Sequence, residues 1–522
     1  MTWPQAVRPG SIPGHQDVLF SMWRLEWVAH ALSHPGVRLF DANIFHPATG
    51  TLAYSDATLL EALLAAPLIW AGVPAVIAYN ATLLLGFFAS ALGMFALVTY
   101  LTGDRAAGFV AALVFAFAPY RFEHYMHLEL QWAAWIPLSF LFVHRAVDRR
   151  SLRDGLLAGV CVWLQFLSCF YYAVFLAPLV VVLAVLLLAT DRGPSRSRAA
   201  LALAIGGIVA IALAIPYALP YLHNAREFGS RRTSEILKYS ATLRSYTATP
   251  AQNVLYGWTA GRGGPETRLF PGTVAIALAF AAFARGRLRL PVVYLALAAL
   301  ALELSLGFHS GAYRLLYEHL GALGGLRAPA RAAILLLAAI AVLAGLGIHR
   351  LRRARPTRAW RLAVTAVFAV AMLAEYWSPV ELRPGPPAEA PDLYRFLRGV
   401  APAVVLELPA PRAGRLPGHD PQYEFYSSYH WNPLVNGYSG YYPRAYILTI
   451  EALVRFPDDR SVARLQQLGT SYIVVHRALY EPDEYGALLV KMTERPELEP
   501  AGVFRDWQGD AAVFVLRGSV QR

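Results

Sequence analysis

The sequence is poor in cysteine and in charged residues. Its two cysteines, Cys161 and Cys169, lie in one apolar stretch, so neither a structural disulfide nor a thiolate metal site is expected. Charged residues make up 15% of the 522 residues and hydrophobic residues 57%. That balance excludes a water-soluble protein of this size. The segment Met1–Gln16 has three prolines and no apolar core, so it does not resemble a secretory signal. These absences predict a polytopic membrane protein.

Lysine is nearly absent, and arginine carries the positive charge. The chain has two Lys, at 238 and 491, against 44 Arg. Five short loops hold 17 Arg and four Asp, a net charge of +13 in a chain whose total is +12. Basic residues in short loops stay on the cytoplasmic side of a membrane, so this charge indicates topology and gives no support for nucleic-acid binding. The five loops are Thr102–Arg105, His144–Asp154, Asp191–Arg198, Arg285–Arg289 and His349–Arg361.

Apolar stretches between these loops predict ten membrane-spanning helices. Several are shorter than the ~20 residues that cross a bilayer, so their flanks would have to complete the crossing. The stretch Leu59–Trp70 is predicted to be interfacial or re-entrant instead. The predicted spans are Ala75–Leu101, Ala106–Ala118, Gln131–Val147, Gly155–Phe170, Tyr172–Ala189, Ala199–Tyr217, Pro271–Ala284, Leu290–Leu306, Ala330–Ile348 and Leu362–Trp377.

Alternation from the arginine-rich loops places three large segments outside the membrane. Residues 1–74 form a first external loop in which Asp17–Leu32 is predicted to be a helix lying in the interface. Residues 218–270 form a long external loop within the transmembrane core 75–378. Residues 379–522 are predicted to be an external α/β domain. The predicted fold class is therefore an α-helical polytopic membrane protein with a C-terminal extracytoplasmic α/β domain.

Local patterns predict the elements of that C-terminal domain. The aromatic run Tyr423–Tyr442 between its first strand and first helix could stack on sugar rings, but a domain core is favoured. The predicted strands are Val404–Leu408, Tyr472–Val475 and Ala512–Leu516, and the predicted helices are Arg444–Val454, Ser461–Leu468 and Tyr485–Thr493.

Polar groups that could support chemistry concentrate on the predicted outer side. They suit transfer at the outer leaflet from a lipid-phosphate-linked donor to a hydroxyl acceptor. Such a reaction needs a carboxylate that accepts a proton and cations that hold a phosphate. The candidate bases are Asp17 and Asp41. The candidate substrate-binding residues are His15, Asn43, His46, Arg121, Glu123, His127 and Glu129. The candidate phosphate-binding cations are Arg231, Arg232, Lys238, Arg327 and Arg331.

Several of these features resemble the GT-C class of membrane glycosyltransferases, which includes protein O-mannosyltransferases and aminoarabinose transferases. They are the acidic first external loop, the motif Asn43-Ile44-Phe45-x-Pro47, the stretch Leu101–Trp132 and the soluble external tail. The resemblance implies inverting transfer from a polyprenyl-phosphate sugar, with an early Asp as base. By position Asp17 matches best and Asp41 second. It implies a lipid, glycan or protein acceptor, a bacterial inner membrane, and no cofactor.

The resemblance also implies a membrane span before the catalytic loop. The predicted spans contain none ahead of Asp17, so we expect the chain to lack its first transmembrane helix. The family's acidic pair is incomplete, because Gln16 and Val18 flank Asp17. A noncatalytic scaffold of an envelope-glycan assembly complex is therefore one alternative. A lipid or polysaccharide transporter or flippase is another, although its polar residues would be expected near the membrane midplane.

Each candidate residue also has a structural alternative. Asp17 could cap the helix that it starts, and Asp41 could form a turn. The group Glu123, His124, His127 and Glu129 could hold a divalent metal, since imidazole and carboxylate are both ligands. Arg327 and Arg331 could contact lipid headgroups. No glycine-rich phosphate loop follows a strand, so a cytosolic nucleotide-sugar enzyme is disfavoured.

Overall fold

A computed structural model describes residues 1–191, 193, 195–284, 286–319, 324–355 and 357–518. Arg192 and Arg285 of the predicted arginine-rich loops, residues 320–323 of a predicted external connection and the end of the predicted C-terminal domain, 519–522, lie outside the described residues. The chain forms two compact units. The membrane unit is Met1–Arg8 with Ala81–Glu381, and the α/β unit is Pro9–Asn80 with Leu382–Arg522.

Helices dominate the described chain, and six strands accompany them. The helices are α1 (Trp3–Val7), α2 (Gln16–Ser33), α3 (Leu59–Trp70), α4 (Ala75–Thr102), α5 (Arg105–Phe117), α6 (Pro119–Glu123), α7 (Leu128–Gln131), α8 (Trp135–Arg149), α9 (Leu152–Ser168), α10 (Phe170–Thr190), α11 (Arg196–Phe228), α12 (Thr233–Lys238), α13 (Thr273–Ala281), α14 (Arg289–Leu306), α15 (Gly311–His319), α16 (Ala333–Arg353), α17 (Arg358–Tyr376), α18 (Asp392–Gly399), α19 (Asp420–Ser427), α20 (Arg444–Ala452), α21 (Asp459–Gln467) and α22 (Pro482–Thr493). The strands are β1 (Ser11–Ile12), β2 (Arg383–Pro384), β3 (Val404–Leu408), β4 (Thr470–His476), β5 (Leu498–Arg505) and β6 (Asp510–Leu516).

Each of the ten predicted spans contains a helix, and the predicted fold class is confirmed. In the described part of the chain, seven helical segments are long and apolar enough to cross a membrane. The other three helices, α8, α9 and α13, have 15, 17 and 9 residues. The seven segments are Ala75–Thr102, Arg105–Glu123, Phe170–Thr190, Arg196–Phe228, Arg289–His309, Pro329–Arg353 and Arg358–Tyr376.

Two predicted spans have the wrong bounds. Helix α11 runs 11 residues beyond Tyr217, through Pro216 and Pro220, so the predicted loop from Ala218 begins in helix. An apolar environment favours internally bonded backbone, which lets a helix continue past a proline. Helix α13 is shorter than Pro271–Ala284, because Gly272 adopts a φ of +101° immediately before it. It ends at Ala281, where residues 282–284 turn toward the arginine-rich loop.

The five arginine-rich loops meet at one end of the membrane unit. Side chains link each loop, or the residue beside it, to the next, and the fifth loop returns to the first. The links are Tyr100–Asp148 (2.9 Å), Arg150–Asp191 (2.5 Å), Arg289–Thr190 (2.8 Å), Arg350 to the Arg287 carbonyl (2.6 Å) and Arg352–Asp104 (2.9 Å). Positive-inside sorting requires all five loops on one side, and this closed ring is consistent with it.

The α/β unit is built on a four-stranded sheet with strand order β3-β4-β6-β5. Strands β3 and β4 are parallel, whereas β6 is antiparallel to both β4 and β5. Leu406, Ile473, Val475 and Phe514 lie in the core cluster beside the sheet. The three predicted strands and three predicted helices are present. Strand β5 was not predicted, because Pro500 and Gly502 interrupt its pattern and the register shifts between them.

The segment 9–80, predicted to be part of a separate external loop, packs with the C-terminal residues. Strand β1 pairs antiparallel with β2, and helix α2 packs on α3 and α19. The prediction placed α2 in the membrane interface, but 11 of its 18 residues are buried. A helix that is apolar on nearly all sides is expected to be buried, and α2 is one of these.

Candidate functional site

Asp17 lies in the first turn of α2, and a tyrosine hydroxyl holds its carboxylate. The Tyr438 hydroxyl donates to Asp17 Oδ1 at 2.6 Å. The N-cap of α2 is His15, so the alternative of Asp17 as the N-cap is wrong. A carboxylate in the first turn is stabilised by the partial positive charge of the helix N-terminus. Asp17 is half-buried, which leaves part of it accessible from outside the unit.

Tyr438 is itself fixed by buried neighbours. Its amide donates to Glu424 Oε2 at 3.1 Å, and its ring meets the Phe20 ring edge-on at 5.2 Å. Glu424 is buried, and burial raises its pKa well above the ordinary range, while the nearby Asp420 adds to the shift. The predicted aromatic run Tyr423–Tyr442 therefore begins in helix α19 and supplies the tyrosine that orients Asp17.

His15 and Gln16 reach the segment at the start of α19. The Gln422 side chain lies 3.1 Å from His15 Nδ1, and Gln16 Nε2 donates to the Gly418 carbonyl at 3.1 Å. Burial lowers the pKa of His15, and the charge of Arg383 lowers it further. The structure thus brings two predicted residues, His15 and Asp17, together with segments about 400 positions later in the chain.

The other predicted residues of the first external loop lie within the packing. The Gly50 amide donates to Asp41 Oδ1 at 2.8 Å, so Asp41 forms the turn given above as its alternative. Asn43 is buried, accepts from Trp23 at 3.2 Å and donates to Ser427 at 3.0 Å. His46 contacts the Leu468 carbonyl at 3.1 Å. These bonds show that Asn43 and His46 help to hold the unit together, and their substrate-binding roles stay predictions.

A second polar cluster occupies the membrane unit, and two arginine–glutamate pairs build it. Arg331 donates to both carboxylate oxygens of Glu266, at 2.6 and 3.0 Å. Arg268 donates to Glu123 at 2.9 Å. His124 Nε2 lies 3.9 Å from Glu266. The cluster thus contains one predicted cation, Arg331, and one predicted carboxylate, Glu123.

The charges of this network balance within it. Burial opposes ionisation of Glu266, but the charge and hydrogen bonds of Arg331 outweigh burial and hold its pKa well below the ordinary range. Burial lowers the pKa of His124 to about 3, so this ring is neutral at pH 7. The Arg331 guanidinium also lies 4.7 Å from the centre of the Tyr171 ring. Because Arg331 is already paired with Glu266, an anionic ligand would have to compete with that carboxylate for the guanidinium.

The remaining predicted residues of the loop 119–130 differ in exposure. Arg121 is fully buried, donates to the Gln131 carbonyl at 2.8 Å and lies over the Phe87 ring at 4.6 Å. That position gives Arg121 a packing role, and its predicted contact with substrate stays a prediction. His127 is half-buried next to the buried Glu129. In the described part of the chain, no three His, Cys, Asp or Glu side chains are placed to hold a metal ion.

The predicted cations of the long loop gather around Glu235 and Tyr239. Arg231 lies 3.9 Å and Arg327 4.0 Å from the Glu235 carboxylate. The Lys238 ammonium lies 5.2 Å from the centre of the Tyr239 ring. Arg232 and Lys238 are exposed. Their exposure leaves Arg232 and Lys238 more open to an anionic ligand than the buried Arg331 is.

Sequence reasoning missed the partners Tyr438, Glu266 and Arg268. Glu266 and Arg268 stand two residues apart just before α13, in a loop whose other charges are mostly basic. That isolated acidic residue was the available signal. Tyr438 had none, because a single tyrosine in an aromatic run does not indicate which segment it will meet.

These features define a polytopic membrane protein with a GT-C-like fold. No protein-family model and no curated protein matches the sequence. Among solved structures, the arabinofuranosyltransferase AftD from Mycobacteria has a TM-score of 0.63 and 16% identity to this chain, over 99% of this chain and 39% of AftD. A structure of an AftD variant gives a TM-score of 0.64 and 17% identity, over 98% of this chain and 40% of AftD.

The AftD likeness confirms the predicted GT-C-like fold, and this chain spans about two fifths of the length of AftD. At this level of identity the likeness shows the fold alone. ArnT from Cupriavidus metallidurans, solved with bound undecaprenyl phosphate, aligns with all of this chain and 97% of its own at 13% identity. Its TM-score of 0.45 is too low to show a shared fold.

Proposed function

We propose that the protein is a membrane glycosyltransferase that moves a sugar from a polyprenyl-phosphate donor to an extracytoplasmic acceptor. The observation that carries the proposal is the half-buried Asp17 carboxylate, which Tyr438 holds at the N-terminus of a buried helix. The proposed setting is the cytoplasmic membrane of a bacterium, with Asp17 on the outer face. The acceptor is a lipid, a glycan or a protein.

In the proposed reaction, Asp17 is the general base. It accepts the proton of the acceptor hydroxyl while that oxygen forms a bond to the anomeric carbon of the sugar. The bond from that carbon to the donor phosphate breaks, the phosphate leaves with the electron pair, and the configuration inverts. The Tyr438 hydroxyl orients the carboxylate through one oxygen. No metal or other cofactor takes part in this proposal.

Cations of the membrane unit are proposed to stabilise the leaving phosphate, whose charge grows in the transition state. Arg232 and Lys238 suit this role because they are exposed, and Arg327 suits it because its ion pair is long. Arg231 is proposed to act with them. Arg331 would first have to exchange its bidentate bond to Glu266. The acceptor or sugar is proposed to contact Glu123 and His127.

The fold likeness to AftD decides which donor to test first. Polyprenyl-phosphate arabinofuranose is the first choice because AftD is an arabinofuranosyltransferase. Polyprenyl-phosphate hexoses and aminoarabinose follow. The purified full-length protein, in lipid nanodiscs, would be incubated with each labelled donor and a membrane extract as the source of acceptors.

The test compares three variants in this assay. Asp17→Asn should lower transfer by about 10²–10⁴-fold, which is the usual contribution of a general base. Tyr438→Phe should lower it by about 10- to 150-fold, because one hydrogen bond to a charged group is worth about 1.5–3 kcal/mol. Asp41→Asn is the matched control and should retain transfer, since Asp41 serves the Gly50 turn.

Two outcomes would contradict the proposal. Full transfer by Asp17→Asn would remove Asp17 as the base. Absence of transfer by the wild-type protein with every donor would favour a scaffold in a glycan-assembly complex. In that case, movement of a fluorescent lipid across the proteoliposome membrane would favour the flippase alternative.

A further inference from the structure

A cavity of about 590 Å³ lies within the α/β unit. One wall is the segment from the end of α3 to the start of α4, including Ile69, Val73 and Ile77. The opposite wall comes from Pro386, Phe425 and other residues of the C-terminal segment. Its volume is in the range of small-molecule and cofactor sites, which are mostly apolar with a few polar groups.

The cavity wall carries charged groups of both signs in the described chain. Glu26 of α2 supplies a carboxylate and Arg398 of α18 supplies a guanidinium. Arg398 Nε donates to the Tyr429 carbonyl at 2.5 Å, and Tyr429, whose hydroxyl donates to the Pro387 carbonyl at 3.0 Å, also lines the cavity. A wall with both charges is suited to a ligand that carries a cation and an anion.

The cavity-lining carboxyl group of Glu26 is largely buried. Burial raises its pKa to about 7, against the lowering effect of the Ser428 hydroxyl. A cationic group placed in the cavity would favour the ionised carboxylate. A ligand ammonium would therefore bind more strongly beside Glu26 than beside an exposed glutamate.

The cavity is separate from the Asp17 site. Glu26 follows Asp17 by nine residues in α2, which is about two and a half turns, or about 13.5 Å of helix. The two side chains therefore lie on opposite faces of α2. A ligand at Glu26 would not occupy the position of an acceptor at Asp17.

Several observations suit the apolar wall of the cavity to contact with lipid. Ala75, Val76 and Ile77 line the cavity and are the first residues of α4, which is long and apolar enough to span a membrane. In α3, which precedes them, Leu63, Leu64, Leu68 and Trp70 are exposed. The Trp70 indole donates to the Ala29 carbonyl of α2 at 3.0 Å, one turn after Glu26. An amphipathic molecule could therefore enter with its acyl chains along these side chains.

We propose that this cavity binds the headgroup of an aminophospholipid. Its ammonium contacts Glu26, its phosphate contacts Arg398, and its acyl chains lie along Ile69, Val73 and Ile77. The ligand is a bilayer lipid and does not depend on the proposed transferase activity.

Native mass spectrometry of the full chain in detergent tests this proposal. Phosphatidylethanolamine should bind as a single saturable copy and more tightly than phosphatidylglycerol, which lacks the amine. Glu26→Gln should weaken phosphatidylethanolamine binding at least tenfold and leave phosphatidylglycerol binding unchanged. Ala388→Trp, at the exposed rim, should block the site by volume. Glu481→Gln, an exposed glutamate of the same unit that does not line the cavity, is the matched control.

The melting temperature of each variant in detergent shows whether it is folded. If Glu26→Gln were unfolded, Ala388→Trp, which changes an exposed position, would decide the result. Equal binding of the two lipids by the wild-type protein would overturn the proposal. So would phosphatidylethanolamine binding that neither Glu26→Gln nor Ala388→Trp reduces, because non-specific lipid contacts would behave in that way.

Discussion

At the scale of single residues, the charged side chains of the membrane unit are paired across long stretches of sequence. Arg331 is buried and meets Glu266, 65 residues earlier, through two hydrogen bonds. Arg331→Gln should lower the free energy of unfolding by about 3–5 kcal/mol, because it leaves a buried carboxylate without its partner. The melting temperature of the full chain in detergent measures this loss.

The double variant Arg331→Gln with Glu266→Gln shows whether the instability comes from the lost charge pairing or from lost side-chain packing. Removing both charges should restore much of the stability, since a neutral pair leaves no uncompensated charge. Arg232→Gln, at an exposed position, is the control and should change little. Equal instability of the single and double variants would contradict a dominant role for the Arg331–Glu266 pair.

His476 of the α/β unit forms a buried bridge between two carboxylates. Its Nε2 lies 2.7 Å from Glu407 and its Nδ1 2.6 Å from Asp506. Burial lowers the pKa of His476, but hydrogen bonds to Asp506 and Glu407 outweigh it, and the net pKa is raised above 6.5. A raised pKa means that its stabilisation is complete below pH 6.5 and is lost as pH rises through the folded-state value.

Hydrogen exchange of the full chain tests this pH dependence. After correction for intrinsic exchange rates, peptides from β4 and β6 should lose protection as the pH is raised from 6 to 9. His476→Gln should flatten that loss and lower protection at pH 6. His34→Gln, at an exposed position of the same unit, should leave the profile unchanged. A flat wild-type profile would contradict a charged bridge.

Sequence patterns identified candidate polar residues but not the distant segments that these residues contact. Asp17 was proposed as the base from its position early in the first external loop, as the family resemblance implies, and that role stays a prediction. Asn43 and His46 lie in the same loop, but they bond to Ser427 and Leu468, which are 384 and 422 positions away. A polar residue is buried or accessible according to such distant partners, and local spacing contains no information about them.

At the scale of elements, helices α9 and α11 approach each other closely through small residues. A Cβ added at Gly159 would lie 2.0 Å from the Gly206 carbonyl oxygen, and one added at Gly155 would lie 2.3 Å from the Ala202 carbonyl oxygen. Small residues four apart allow helices in membranes to pack backbone against backbone. This contact fixes α11 against α9 along two turns.

A matched pair of alanine substitutions tests that contact. Gly159→Ala should destabilise the protein by about 1–3 kcal/mol, because the added methyl forces the helices apart. Gly207→Ala makes the same chemical change where nothing lies within 4 Å of the new Cβ, so it should be neutral or slightly stabilising. Melting temperatures in detergent compare the two. A smaller loss for Gly159→Ala than for Gly207→Ala would contradict close packing.

Helices were easier to predict than strands and helix ends. The ten stretches could be recognised because each is a long, predominantly apolar run, and every one contains a helix. Their ends depend on single residues, such as the positive φ of Gly272 before α13. Strand β5 forms because Leu498–Arg505 pairs with β6, although Pro500 and Gly502 disfavour a strand locally. Pairing energy from a neighbouring strand overrides such local preference.

At the scale of the whole molecule, the arginine-rich loops share a location in the structure as well as a positive charge. Their five loops are bonded in a ring at one end of the membrane unit. A shared location of all five loops is what a single cytoplasmic face requires. The ring therefore predicts one orientation for the whole chain and makes that orientation measurable.

Cysteine labelling with a membrane-impermeant maleimide on spheroplasts measures that orientation. The exposed positions Ser230 and Asp483, changed to Cys, should label in sealed cells because they belong to segments predicted outside. Ala354→Cys, in the fifth arginine-rich loop, should label only after permeabilisation. The wild-type chain is the background, since Cys161 and Cys169 are buried. Labelling of Ala354→Cys in sealed cells would reverse the topology and place Asp17 on the side where a surface acceptor is absent.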